Sequence, residues 1–179
     1  MNRVLNALLI AVLGSSFAFF SPTAGGAQSL VPSPVATFDV GTLHVDEFGH
    51  GAQTLILIPG LGSGSWAWDG TIARFSSHYT IYVLTLPGFD GRAATKESPL
   101  FAAFAGDFWK LLADRKIDKP LVIGHSLGGT LAFLLAEEHP ERLRAIVAVD
   151  GLPIFPAVAN ATADQRLAAA DKMAATLES

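Results

Sequence analysis

The sequence of 179 residues contains no cysteine. It can therefore form no disulfide, and it has no thiol to act as a nucleophile or to carry a lipid. Charged residues are also scarce: 12 lysines and arginines and 16 aspartates and glutamates make up 16% of the chain and give a net charge of −4. No basic run marks a nucleic-acid surface, and the apolar half of the composition predicts one domain with a buried core.

Residues 1–27 have the pattern of a secretory signal peptide. A single positive charge at Arg3 precedes the apolar run Val4–Phe20, and the small residues Ala24–Ala27 resemble a signal-peptidase site. An uncleaved membrane anchor is the alternative, but the run is at the short limit for a spanning helix and no basic residues flank its end. We therefore predict cleavage after Ala27, a periplasmic or secreted location, and a linker over residues 28–34.

Buried strands alternate with helices across residues 35–150, the predicted core. Four strands are predicted from continuous apolar runs that end at turn residues: Thr54–Ile58, Thr80–Leu86, Pro120–Gly124 and Ala145–Val149. A hairpin is predicted over Val35–Phe48, and helices over Trp66–Ser77, Leu100–Arg115 and Leu127–Glu138. We expect Trp66, Ile72 and Phe75 to face inward. This order predicts an α/β fold, a mostly parallel sheet with helices on both faces.

The segment Gly124–Gly128 has a glycine, any residue, a serine, any residue and a glycine, with Ser126 at its centre. It follows a predicted strand and precedes an apolar helix, so a sharp turn lifts the serine hydroxyl above the edge of the sheet. The residues two before and two after the serine must be small where the strand and the helix meet. A chance match in a surface turn is the alternative, which the flanking strand and helix disfavour.

Two backbone amides are candidates for stabilising an oxyanion formed at Ser126. The amide of Leu127 lies at the start of the following helix, where N–H groups have no intrahelical partner and the helix dipole is positive. Gly60 and Gly62 follow the strand Thr54–Ile58 and let the backbone approach closely, which makes the amide of Leu61 the second candidate. The alternative is that these glycines only form a tight turn.

In these motifs the sequence resembles the α/β-hydrolase superfamily, in particular its cap-bearing esterase and peptidase branch. Pro59–Trp66 is similar to that branch's oxyanion loop, although proline stands at 59 where the branch usually has histidine. Leu86–Arg92 and His139–Leu143 resemble its loops beside neighbouring strands. The resemblance runs from about Phe38 to Pro156. It implies acyl transfer, in which a serine attacks, a histidine takes its proton and an acid orients the histidine.

Ser126 disfavours the dehalogenase and epoxide-hydrolase branches, which use a carboxylate nucleophile. The catalytic histidine is not evident. The resemblance places it after the last strand of the fold, which is absent from this sequence, and none of the histidines at 44, 50, 78, 125 and 139 is well placed as a base. Asp150 ends the strand after Ser126, at the edge where the active sites of open α/β sheets lie. It is either the catalytic acid or a turn aspartate; Asp46 and Asp90 are predicted to be turn residues.

We therefore predict an exported serine hydrolase that acts by acyl transfer on a small ester, amide or related carbonyl substrate. Trp66, Phe89 and the residues after Gly151 are expected to line the acyl pocket. No metal or organic cofactor is implied, because no cluster of histidine and carboxylate residues has ligand spacing. Residues 151–179 are expected to begin a cap, so that the sequence holds only the N-terminal part of the fold. The alternative is a truncated, inactive fragment or pseudoenzyme without the catalytic histidine. The substrate's identity and the oligomeric state stay open.

Overall fold

A computed structural model describes residues 31–95 and 100–152. The predicted signal peptide and the predicted cap beyond Leu152 lie outside the described residues. Six strands are found in the described part: β1 Ala36–Val40, β2 Leu43–Phe48, β3 Gln53–Ile58, β4 Tyr79–Thr85, β5 Leu121–His125 and β6 Ala145–Val149. The helices are α1 Asp69–Phe75, α2 Leu100–Asp114 and α3 Leu127–Glu138.

The six strands form one sheet in the order β1-β2-β4-β3-β5-β6. The strands β4, β3, β5 and β6 run parallel to one another, while β2 is antiparallel to both β1 and β4. The predicted hairpin, the four predicted buried strands and the mostly parallel α/β fold are therefore confirmed. Parallel strands bring their carboxyl ends to one edge of the sheet, and the loops after β3, β4, β5 and β6 meet there.

The apolar run in β3 is explained by burial on both faces of the sheet. Ile56 and Ile58 belong to one core cluster together with residues of α2 and α3. Leu55 and Leu57 belong to the cluster on the other face, together with Ile72 of α1. Successive side chains of a strand point to opposite faces, so a strand covered on both sides needs apolar residues at every position.

The predicted helix Trp66–Ser77 is wrong in its start and in two of its three inward residues, whereas Ile72 is buried as predicted. A short 3₁₀ turn, Ser65–Trp68, precedes α1, and Trp66 is 58% exposed while Trp68 is buried. Successive residues of a 3₁₀ helix are about 120° apart around its axis, so the side chains of Trp66 and Trp68 point in different directions. Phe75, predicted to be inward, is 37% exposed at the end of α1.

Candidate active site

Ser126 lies at the turn between β5 and α3 in a backbone conformation that L-amino acids rarely adopt. Its φ is 52° and its ψ is −116°. The amide of Ser126 donates to the carbonyl oxygen of Val149 at 2.8 Å, and its carbonyl accepts from the amides of Gly129 and Thr130 at 2.9 and 3.2 Å. Such a conformation persists only where the surrounding structure fixes it, and here hydrogen bonds hold the residue on both sides. The structure thus places Ser126 at the sharp strand-to-helix turn that the sequence predicts.

The glycines around Ser126 are required by close backbone contacts. A Cβ on Gly124 would collide with the carbonyl oxygen of Gly128, and a Cβ on Gly128 would collide with the carbonyl oxygen of Ile58. A Cβ on Gly129 would come within 2.8 Å of the Cα of Gly151. The turn is therefore packed directly against the ends of β3 and β6, which a side chain at any of these glycines would prevent.

The loop after β3 begins beside Ser126. A Cβ on Gly60 would lie 3.4 Å from the Cβ of Ser126 and 3.1 Å from Nδ1 of His125. The amide of Ser63 donates to the carbonyl of Gly60 at 3.1 Å, and Gly62 has a φ of 72°. The tight turn considered from the sequence is therefore present, and it lies against the serine.

The two amides predicted to stabilise an oxyanion lie in the loop after β3 and at the start of α3. The amide of Leu61 donates to no backbone carbonyl among the described residues, and the side chain of Leu61 is exposed. The amide of Leu127 is the first of α3, and the first amides of a helix have no intrahelical partner. Neither amide is therefore paired with a backbone carbonyl among the described residues.

Asp150 occupies the position next to Ser126 on the neighbouring strand. His125 and Val149 are register partners at the ends of β5 and β6, and the Ser126 amide donates to the Val149 carbonyl at 2.8 Å, so Asp150 directly follows a hydrogen-bond partner of Ser126 at the sheet edge. Asp150 has a φ of 53° and is exposed. The segment after it is held to α3, since the Thr130 hydroxyl donates to the carbonyl of Leu152 at 2.8 Å.

Four of the five histidines lie away from Ser126 or have other partners, whereas His125 directly precedes Ser126 and its exposed ring lies beside Gly60. His44 is level with the end of β4, but two strands lie between β2 and β5, and the three inter-strand spacings add up to about 14 Å. Its Nδ1 lies 2.7 Å from Asp39. His78 contacts Ser77 at 2.8 Å, and His139 packs edge-on against Trp109 beyond the end of α3. His50 is exposed in the loop between β2 and β3. No hydrogen bond among the described residues joins a histidine to Ser126.

The acyl-pocket residues predicted from the sequence are only partly placed at the site. Phe89 belongs to the buried core between the sheet and α2, not to an open pocket. Trp66 and Leu152 are exposed on loops at the same sheet edge as Ser126.

Asp90 lies in the loop after β4, as predicted for a turn residue, whereas Asp46 lies inside β2 and is paired with Val83.

A cavity of about 460 Å³ lies at the opposite edge of the sheet. Its lining includes Arg115 and Arg144, and both arginines already have partners within the chain. Arg144 donates to Gln53 at 2.8 Å, and the Arg115 guanidinium lies over the Phe38 ring.

Within residues 31–95 and 100–152 no group of three potential ligand side chains could hold a metal ion. No helix of that same part is long and apolar enough to cross a membrane.

A serine on a strained turn between a parallel strand and a helix is the arrangement found in α/β hydrolases. A comparison with family models agrees: the model described as alpha/beta hydrolase fold matches residues 53–177. This is more than half of the chain, and the chain belongs to that family.

Solved structures show the same fold. Naproxen esterase (carboxylesterase NP) from Bacillus subtilis is 27% identical, with 66% of this chain and 44% of that chain covered and a TM-score of 0.58. A bacterial membrane phospholipase A is 25% identical, with 68% and 41% covered and a TM-score of 0.59. An epoxide hydrolase from Vigna radiata, 22% identical over 75% and 44%, has a TM-score of 0.62 and shows the fold alone. The chain thus spans less than half the length of these three proteins, which is compatible with the prediction that it holds the N-terminal part of the fold.

Proposed function

We propose that the chain carries the nucleophile of a serine hydrolase, in which Ser126 attacks a small ester, amide or related carbonyl substrate. The observation that carries the proposal is the backbone of Ser126, with a φ of 52° and a ψ of −116°. A conformation of this kind costs about 1–3 kcal/mol and is found where function requires it. It projects the hydroxyl from the sheet edge and leaves the first amides of α3 beside it.

The acyl-transfer step assigns a role to each group around the serine. The Ser126 oxygen forms a bond to the substrate carbonyl carbon while its proton passes to a general base. The negative charge on the carbonyl oxygen is stabilised by the amides of Leu127 and Leu61. As the tetrahedral intermediate collapses, the protonated base returns its proton to the leaving alcohol or amine and an acyl-serine remains. Water then attacks the acyl-serine, which releases the carboxylic acid and regenerates the Ser126 hydroxyl.

The comparisons favour an ester substrate. The naproxen esterase and the membrane phospholipase A are named for ester cleavage, and they are 27% and 25% identical to this chain. A serine in the nucleophile position also separates this chain from enzymes of the fold that attack with a carboxylate. Asp150 is the proposed acid because it stands beside Ser126 at the sheet edge; export remains a prediction from residues 1–27.

The second candidate is a chain that is inactive by itself. It is favoured by the histidines, none of which is hydrogen-bonded to Ser126 among the described residues, while His44, His78 and His139 have other partners. In serine hydrolases the oxyanion hole and substrate binding alone leave a residual acceleration of about 10³–10⁴ over water when a triad member is removed. Such residual hydrolysis does not need attack by the serine, so the two candidates differ in whether the rate depends on Ser126.

Hydrolysis of p-nitrophenyl acetate and butyrate tests the proposal. The wild-type chain is compared with Ser126→Ala and with Ser63→Ala, which removes a second serine hydroxyl from the neighbouring loop. Release of nitrophenol that is lost in Ser126→Ala and kept in Ser63→Ala supports the proposal. Equal hydrolysis by all three proteins overturns it, and no hydrolysis above buffer from the folded wild type supports the inactive chain.

A further inference from the structure

The loops after β3 and β4 are joined by one side-chain hydrogen bond. The indole Nε1 of Trp66 donates to Oδ1 of Asp90 at 3.0 Å, across 24 residues of sequence. The Trp66 ring is more than half exposed, so packing alone does not hold it. The carboxylate of Asp90 therefore fixes an aromatic side chain that lies in the same loop as Gly60 and Leu61.

Asp90 is itself held by its backbone. The amide of Arg92 donates to the carbonyl of Phe89 at 2.9 Å, and Asp90 and Gly91 between them have φ values of 50° and 72°. Two central residues with positive φ are characteristic of a type I′ turn. Aspartate tolerates this region better than most residues, so the turn fixes the carboxylate at little cost.

Gly64 makes room for this carboxylate. A Cβ on Gly64 would collide with Oδ2 of Asp90. The backbone of Gly64 has a φ of −118° and a ψ of −159°, an extended conformation that alanine also adopts. The absence of a side chain at position 64 is therefore required by the Asp90 carboxylate and not by the backbone conformation of Gly64. The Asp90 carboxylate lies between the Gly64 backbone and the Trp66 indole.

The loop held by Asp90 is the one that reaches Ser126. It consists of two successive turns, closed by the bonds from Ser63 to Gly60 at 3.1 Å and from Ala67 to Gly64 at 3.2 Å. One end of the loop contacts Ser126 through Gly60, and the other end contacts Asp90. The amide of Leu61 lies between these two contacts.

We propose that Asp90 is a positioning residue for the loop from Gly60 to Trp66, and that it fixes the Leu61 amide relative to Ser126 through Trp66 and Gly64. The part of this inference that concerns the amide rests on the proposed function. The part that concerns the loop rests only on the contacts described above.

Four variants separate this role from general stability. Asp90→Gly removes the carboxylate and suits the positive φ, while Asp90→Asn keeps an acceptor oxygen and also tolerates that φ. Gly64→Ala displaces the carboxylate without changing Asp90 or Trp66. Lys119→Gly is the matched control, since Lys119 is an exposed residue with a φ of 42° at the opposite edge of the sheet.

The first readout is backbone hydrogen exchange measured by mass spectrometry on the whole chain. Peptides covering residues 60–67 should exchange about three- to tenfold faster in Asp90→Gly and Gly64→Ala, as expected for loss of a partly exposed, charge-assisted hydrogen bond. Asp90→Asn and Lys119→Gly should exchange there like the wild type, and peptides from β3 and α3 should not change in any variant. Unchanged exchange over residues 60–67, or faster exchange spread evenly over the sheet, overturns the inference.

The second readout is the rate at which a fluorophosphonate labels Ser126. It should fall at least threefold in Asp90→Gly and Gly64→Ala and be restored in Asp90→Asn. Labelling at the wild-type rate in a variant whose loop exchanges faster overturns the positioning role. A wild type that is not labelled counts against the proposed function alone, because the exchange measurement still decides whether Asp90 holds the loop.

Discussion

Replacing Ser126 with glycine should stabilise the chain while removing its nucleophile. The side chain of Ser126 makes no capping hydrogen bond to α3, so its removal costs no such bond. Its φ of 52° and ψ of −116° are costly for any residue with a Cβ and are accessible to glycine. The stability of the fold and the proposed chemistry therefore make opposite demands on this position.

The change in the free energy of unfolding caused by Ser126→Gly is the difference between two opposing contributions. Glycine relieves about 1–3 kcal/mol of backbone strain. Its greater freedom in the unfolded chain costs about 0.4–1 kcal/mol. The net gain is about 1 kcal/mol, which raises Tm by about 2–4 °C in a domain of this size. Ser126→Ala keeps the Cβ and its strain, so its free energy of unfolding should match the wild type within about 0.5 kcal/mol.

Urea denaturation followed by circular dichroism measures these free energies for the wild type, Ser126→Gly and Ser126→Ala. We expect the glycine variant to have the highest urea midpoint with an unchanged m-value. At an ordinary position inside a helix or strand, glycine is less stable than alanine by about 0.5–1 kcal/mol. If Ser126→Gly likewise has a lower free energy of unfolding than Ser126→Ala, the backbone of Ser126 is not strained as we infer.

Two further predictions concern packing and pH. Gly128→Ala should destabilise the chain by about 1–3 kcal/mol, because the new Cβ collides with the backbone of Ile58. The control Gly106→Ala has open space around its Cβ in α2 and should stabilise the chain by about 0.5–1 kcal/mol. Equal urea midpoints for the two variants would contradict this prediction. Burial raises the pKa of Tyr82 above its ordinary 10.0, and the Glu47 carboxylate raises it further. Since the fold favours the neutral phenol, the stability from Tyr82 is complete below pH 10 and is lost as the pH rises through the higher pKa of the folded state. Tyr82→Phe should therefore weaken the fall of the urea midpoint above pH 10, and an identical fall in both proteins would argue against this assignment.

The central strands could be predicted from the sequence because each carries its own signal. In β3 the run Leu55–Ile58 is apolar at every position, and burial on both faces of the sheet is what such a run requires. The turn at Ser126 could be predicted for a similar reason. Gly124 is required by a contact with Gly128 four residues away, whereas the close contacts of Gly128 are with Ile58 and Pro59 in another segment.

The features that the sequence did not predict depend on contacts between distant segments. The bond between Trp66 and Asp90 joins two loops, so no local periodicity contains it. Trp66 was expected in the core because it is large and apolar, yet its neighbour Trp68 occupies that place. The glycine at 64 can be understood only once the position of the Asp90 carboxylate is known. By contrast, the placement of Asp150 at the same sheet edge as Ser126 could be predicted, because it directly follows the parallel strand β6.

If Ser126 is an activated nucleophile, a fluorophosphonate should label it, and peptide mass spectrometry locates the labelled residue. We expect a phosphonyl group on Ser126, no labelling in Ser126→Ala, and full labelling in Ser63→Ala. Labelling distributed over other serines, labelling that survives in Ser126→Ala, or a folded wild-type chain that reacts no faster than a denatured one would contradict the claim.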